Sequence, residues 1–223
     1  MSLELVNTIA TMTTAAVIGA TAIAALVQLR HLRAANQITA LLAVQNELDS
    51  LDYRDSDILV REELATLLND PEFCRYEIAM SKRIPNVHAN EHYLKVRQAA
   101  NLIGNTFENI GSMVKNGILD KHLVMDIYGW IVLMQWQALA GLTAIARTAT
   151  GESNIYENFE YLAALSKRYL AAHPVTYPRN VERLTLEVPP AARAFLGQVG
   201  IASANPSHWD GQPLDSRPPI SQR

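Results

Sequence analysis

FENIGSMVKNGILDKHLVMDIYGWIVLMQW, residues 107–136, admits three readings: the packed centre of a helical domain, a second membrane span, or an active site. Asn116-Gly117 in its middle marks a helix stop, because glycine takes the left-handed cap conformation without a steric penalty. Asp120 follows at the place of an N-cap, so the stretch reads as two helices joined by a short turn. Upstream, Val96, Ala99, Ile103, Phe107, Ile110 and Val114 recur at spacings of three and four, which predicts an apolar face on a helix over about His88–Lys115. Downstream, the helical pattern continues to about Thr148. Phe107, Ile110, Val114, Leu123, Ile127, Tyr128, Trp130 and Trp136 are therefore expected to pack in the main, as a core hairpin.

The second-span reading rests on Ile127–Ala146, IYGWIVLMQWQALAGLTAIA, whose 20 uncharged residues meet the length rule. Against it stand Gln135 and Gln137 near the middle and Asp126 at the boundary. A helix apolar all round can instead be buried, and the core reading is preferred.

Around the hairpin, Asp52–Asp57, DYRDSD, reads as a break, followed by a short helix over Ile58–Leu68. Asn69-Asp70-Pro71 then marks a stop and a new start, with proline in the first helical turn. Glu72–Arg83 forms the next helix and Asn154–Ala172 the last regular one. No segment alternates with period two, and the fold class is all-α. Eight of the ten prolines lie between Pro174 and Pro219, a density that argues against regular helix or central strand and predicts an irregular, disordered tail. A short helix over Pro189–Val199 is the alternative to disorder within it. Phe195 there and Trp209 further on are the apolar residues suited to docking.

At the amino-terminal end, Leu5–Leu29 contains 25 residues without a formal charge. As a helix this covers roughly 37 Å, enough to cross a hydrocarbon core of about 30 Å. The flank carries Glu4 and no basic n-region, which separates the segment from a cleaved signal. Arg30 and Arg33 follow at once, and such basic flanks favour the cytoplasm. The reading is a single-pass protein of the inner (plasma) membrane, amino terminus outside, with a span marked by Leu5, Gly19 and Leu29. Ala16, Ala20 and Ala24 lie at four-residue spacing, a pattern that lets another helix approach. Ile38, Leu41, Gln45, Leu48 and Leu51 extend a period near 3.5, so one long helix is expected to leave the membrane and enter the domain. The chain thus divides into an anchor (1–30), a cytosolic helical domain (31–172) and a proline-rich tail (173–223).

Composition bounds the chemistry. With 19 basic and 22 acidic residues, the charge is too balanced for general nucleic-acid binding. A lone Cys74 excludes an intramolecular disulfide and fits a reducing compartment. His88 and His92 share a helix face, but Ala89 stands where zinc proteases carry glutamate, so they are metal candidates only by spacing. Glu108 and Asp126, with His122, are the candidates for acid–base work, since paired acids in different environments can divide those roles. A buried acid is more often neutralised by a cation, and Arg97 or Arg147 would supply it. Phosphate-cradling, dinucleotide and nucleophile-elbow motifs are missing, and no cofactor is expected.

The run F-E-N-I-G-S-M-V-K-N-G-I-L-D, then L-V-M-D-I-Y-G and Trp136 seven residues after Gly129, resembles a bacterial domain-of-unknown-function family. Phe107, Glu108, Gly111, Gly117, Asp120, Asp126 and Trp136 carry the resemblance, which covers about Arg30–Thr148. It implies one amino-terminal span followed by a helical cytosolic domain, and no activity. The expected function is a membrane-anchored interaction module, an accessory or scaffolding subunit of a membrane assembly. Its expected partners are the lipid bilayer and a protein, or a second copy, held through the span, the first long helix or the tail. The alternatives are an enzyme or effector with a site between the long helices, and a two-span membrane protein.

Overall fold

The computed structural model describes residues 2–85, 87, 90–174, 181–182, 184 and 187–198 of the 223. Residues to Ser166 form one compact unit, and those from Lys167 a second. Helices account for the regular structure, and there is no strand among the described residues.

Helix α1, Leu3–Leu48, is continuous from the apolar segment into the domain, with Gly19 its one potential interruption. Thr8, Thr11, Thr13, Thr14 and Thr21 each donate their hydroxyl to the carbonyl four residues back. Their polar groups are thereby satisfied inside the helix, the condition for tolerating threonine in an apolar surrounding. Further along, Gln37, Ala40, Leu41, Val44 and Leu48 are covered to different degrees, and Val44 is buried. The expected stripe is thus turned: Leu41 and Leu48 point inward, whereas Ile38, Gln45 and Leu51 are exposed. The 3.6-residue repeat centred on Val44 sets that face.

Asp52–Asp57 is helical, against expectation. Ser50 caps α2 (Leu51–Leu59) by accepting the Tyr53 N–H at 3.1 Å. Asp52 then lies in the first turn, where a carboxylate favours the helix dipole, and Asp57 pairs with Arg61 one turn on. The acidic run marks a helix start rather than a break. A π-helical turn, Val60–Leu64, leads into α3, Ala65–Leu67. Asp70 caps α4, Pro71–Ser81, as the Asn-Asp-Pro signal predicts.

Helix α5, Glu91–Lys115, buries all six residues of its expected stripe. It ends in a Schellman motif: Gly117 has φ +68°, its N–H bonds the Val114 carbonyl, and the Ile118 N–H bonds that of Met113. Asp120 accepts the N–H groups of His122 and Leu123 at 2.9 Å and opens α6, Lys121–Thr150. Helix α6 buries Val124, Met125, Tyr128, Val132, Leu139 and Leu142. Leu123, Ile127 and Trp130, expected in the core, are 44%, 47% and 47% exposed. The apolar pattern encircles this helix, so periodicity alone cannot tell which face is covered.

Helix α7, Glu157–Ala172, closes the core of the first unit with Phe159, Leu162, Ala163 and Ser166. Phe159 stacks on Phe107 at 5.0 Å and meets the Trp136 ring edge-on at 5.1 Å. Burying each of Phe73, Phe107 and Phe159 contributes roughly 1.5–3 kcal/mol. In the second unit, α8 spans Pro190–Gln198, a short helix within the segment expected to be an irregular tail.

Candidate functional site

Helix α4 is short and turns Phe73, Tyr76 and Glu77 inward, at positions one helical turn apart. Glu77 is only 3% exposed. Its Oε2 accepts the Nε–H of Arg97, from α5, at 3.0 Å. Its Oε1 is buried without a hydrogen-bond donor among the described residues. Burial pushes the Glu77 carboxyl above its ordinary value, and the Arg97 guanidinium offsets part of that rise.

Beside this ion pair opens a cavity of about 770 Å³. Its walls come from the end of α4, the turn at Lys82 and Arg83, α5, the second half of α6 and the turn before α7. Leu142, Ala146 and Ile155 supply apolar wall, Asn101 and Tyr156 polar wall. Arg83 (φ 55°) and Tyr156 (φ 54°) are the non-glycine residues in left-handed backbone among the described residues, and both line it. Such conformations cost of order 1–3 kcal/mol each and persist only where surroundings enforce them.

At Tyr156 the enforcement is visible. A Cβ on Gly104 would lie 2.5 Å from the Tyr156 ring, so the ring occupies space that only glycine leaves on α5. The Tyr156 hydroxyl donates to Asn101 Oδ1 at 3.4 Å, and burial raises its pKa. Lys82 and Arg83 are exposed at the cavity's edge, and the ion pairs of the described residues do not include them.

The residues singled out from sequence fall elsewhere. Glu108 accepts the Asn158 amide at 2.7 Å through Oε1 and the Phe159 N–H at 2.8 Å through Oε2. Both oxygens are therefore committed to the start of α7, a capping role performed from a neighbouring helix. Glu108→Ala is expected to destabilise by about 1–2 kcal/mol, read as a lower urea midpoint, whereas Glu108→Gln keeps part of that contact. Asp126 and His122 are exposed on α6.

His92 Nε2 pairs with Glu63 Oε2 at 2.7 Å, while His88 lies outside the described residues. Among the described residues no group of three or more His, Cys, Asp or Glu is placed to hold a metal. Arg97 does neutralise a buried acid, but that acid is Glu77. Arg147 binds Glu160 at 2.7 Å and the Ile155 carbonyl at 2.9 Å. Leu5, Ala16, Gly19, Ala20, Ala24 and Leu29 are all exposed on α1, as Phe195 is on α8; Trp209 lies outside the described residues. Sequence reading missed Glu77, Asn101 and Tyr156. For Glu77 a signal existed: it stands four residues after Phe73, on the apolar stripe of its own helix.

Residues 15–166 match the family described as Domain of unknown function (DUF4760). The chain belongs to that family. The DUF4760 segment begins within the apolar half of α1, ends where the first compact unit ends, and contains every residue that lines the cavity. It extends beyond the Arg30–Thr148 range on which the resemblance was drawn. No curated protein and no solved structure matches the chain.

Proposed function

We propose that the chain is a membrane-anchored helical interaction module, an accessory or scaffolding subunit of a membrane assembly. Residues 1–30 form the anchor, 31–172 a cytoplasmic domain and 173–223 a tail, with the amino terminus outside. The observation that carries the anchor is the apolar half of α1: long enough to span a bilayer, with none of its most apolar window buried against the protein. A helix with that much uncovered apolar surface is stable in water only if something else covers it.

A partner role draws on α6, whose Leu123, Ile127, Trp130, Ile131 and Met134 form an exposed apolar stripe at helical spacing. Such a stripe suits the groove or helix of another protein, with tryptophan the residue type most often dominant at interfaces. The same helix is long and apolar enough to be a second span, but part of its surface is already buried. Gln135 on that buried face donates to Asp57 of α2 at 2.5 Å, which ties α6 to polar neighbours and favours the one-span reading.

Reporter fusions after Leu51, Lys115 and Ala172 test the topology. All three are expected to report the cytoplasmic side. Opposite sides for the fusions after Lys115 and Ala172 would replace the one-span arrangement with two spans.

A further inference from the structure

We infer that the cavity between α4, α5 and α6 binds an apolar α-amino acid, a site that goes beyond anchoring and does not depend on it. Three features of the walls select three features of the ligand. Glu77 Oε1 is a buried carboxylate oxygen with no donor among the described residues, since Arg97 engages only Oε2. A buried acceptor left open is costly, and an ammonium N–H from a ligand satisfies it with a charge-assisted bond. Lys82 and Arg83 stand at the edge as cations outside any ion pair of the described residues, which suits a carboxylate. The Glu77–Arg97 pair cancels in charge, so the lining that remains is Lys82 and Arg83 against Glu152, net positive by one. Leu142, Ala146 and Ile155 offer an apolar wall for the side chain.

The cavity is of ligand size, since small-molecule sites run from roughly 300 to 1,000 Å³. Two independent local distortions point to the same place. Arg83 and Tyr156 both adopt left-handed backbone there, and Gly104 is the one residue type that admits the Tyr156 ring. Strain concentrated around a cavity is characteristic of binding sites, where the surroundings hold side chains in one presentation. The Tyr156 hydroxyl donates to Asn101 Oδ1, which leaves the amide N–H groups of Asn101 as further polar lining of the cavity.

Isothermal titration of the full-length protein in detergent micelles tests this with L-leucine and L-phenylalanine. Two truncated probes accompany them: 3-phenylpropanoate, which lacks the amine, and phenethylamine, which lacks the carboxylate. At least one amino acid is expected to bind with Kd at or below about 1 mM, and each truncated probe about tenfold or more weakly than L-phenylalanine. Lys82→Ala/Arg83→Ala, at two exposed positions and with circular dichroism showing it folded, should weaken the amino acid about tenfold while leaving phenethylamine unchanged. Glu77→Gln, if its circular dichroism shows it folded, should weaken the amino acid and leave 3-phenylpropanoate unchanged. Absence of heat from both amino acids up to about 10 mM overturns the inference. So does equal binding of all probes, or an amino-acid affinity that the Lys82/Arg83 double variant does not change.

Discussion

Arg97→Ala is expected to lower the stability of the domain by about 3–5 kcal/mol at neutral pH, because it strands Glu77 as a buried, unpaired charge. Glu77 is almost wholly inaccessible, and among the described residues Arg97 Nε–H is its one hydrogen-bond donor and Oε1 lacks one. The loss exceeds the net worth of the pair, since an ion pair of this kind is expensive to bury and its removal leaves the desolvation cost uncompensated. The sign of the pH dependence follows from the same groups. Burial raises the Glu77 carboxyl above its unfolded value of 4.5, so the folded state binds more protons than the unfolded one in the window above that value. Stability from this group is present below 4.5 and is lost as pH rises through the folded pKa. Removing Arg97 takes away the charge that holds that pKa down, which widens the window upward. The deficit of Arg97→Ala should therefore shrink as pH falls from 7.5 toward 5, measured by urea denaturation in the same detergent. A second change, Glu77→Gln, should flatten the pH dependence of the single variant. A deficit equal at both pH values would mean that packing of the arginine stem, and not the stranded carboxylate, carries the effect.

What sequence could and could not show about these elements divides along physical lines. The α5 stripe, the Gly117 stop and the Asp120 cap were legible because each is a local signal, fixed by spacing or by one residue's backbone freedom. The inward face of α6 was not, because Leu123, Ile127 and Trp130 are as apolar as the residues that are buried, and only the placement of α4, α5 and α7 decides among them. DYRDSD looked like a break from its charge density, yet with Ser50 as cap the same carboxylates favour a helix start. The cavity was less legible still. Glu77 shares a stripe too short to establish a period, and the strained Tyr156 turn depends on a glycine far away in sequence, Gly104. Of the acids that sequence did single out, Asp126 is exposed on α6 and Glu108 is occupied with capping.

Gly111→Ala should destabilise by about 2 kcal/mol or more, although alanine is the better helix former by about 1 kcal/mol. Gly111 lies inside α5, one turn before its end, with ordinary helical backbone, so conformational freedom does not explain it. The explanation is the approach of another backbone. A Cβ there would sit 2.6 Å from the carbonyl carbon of Asn158 and would overlap its oxygen. A flexible side chain could swing aside; a backbone carbonyl at the head of α7 cannot move without carrying Asn158 and Phe159 with it. Those are the residues whose N–H groups Glu108 holds, and Phe159 fills the core against Phe107 and Trp136. The clash therefore spreads from one methyl group to a capping site and an aromatic cluster, and forced overpacking of this kind costs roughly 1–3 kcal/mol before the lost hydrogen bonds are counted. Because the two sites share that displaced segment, Gly111→Ala and Glu108→Ala should be non-additive: the double variant is expected to lose less than the sum of the singles. Urea denaturation of the four proteins of that cycle measures the coupling. Strict additivity, or a Gly111→Ala protein more stable than the parent, would show that α7 yields to the methyl group without surrendering its contacts to α5.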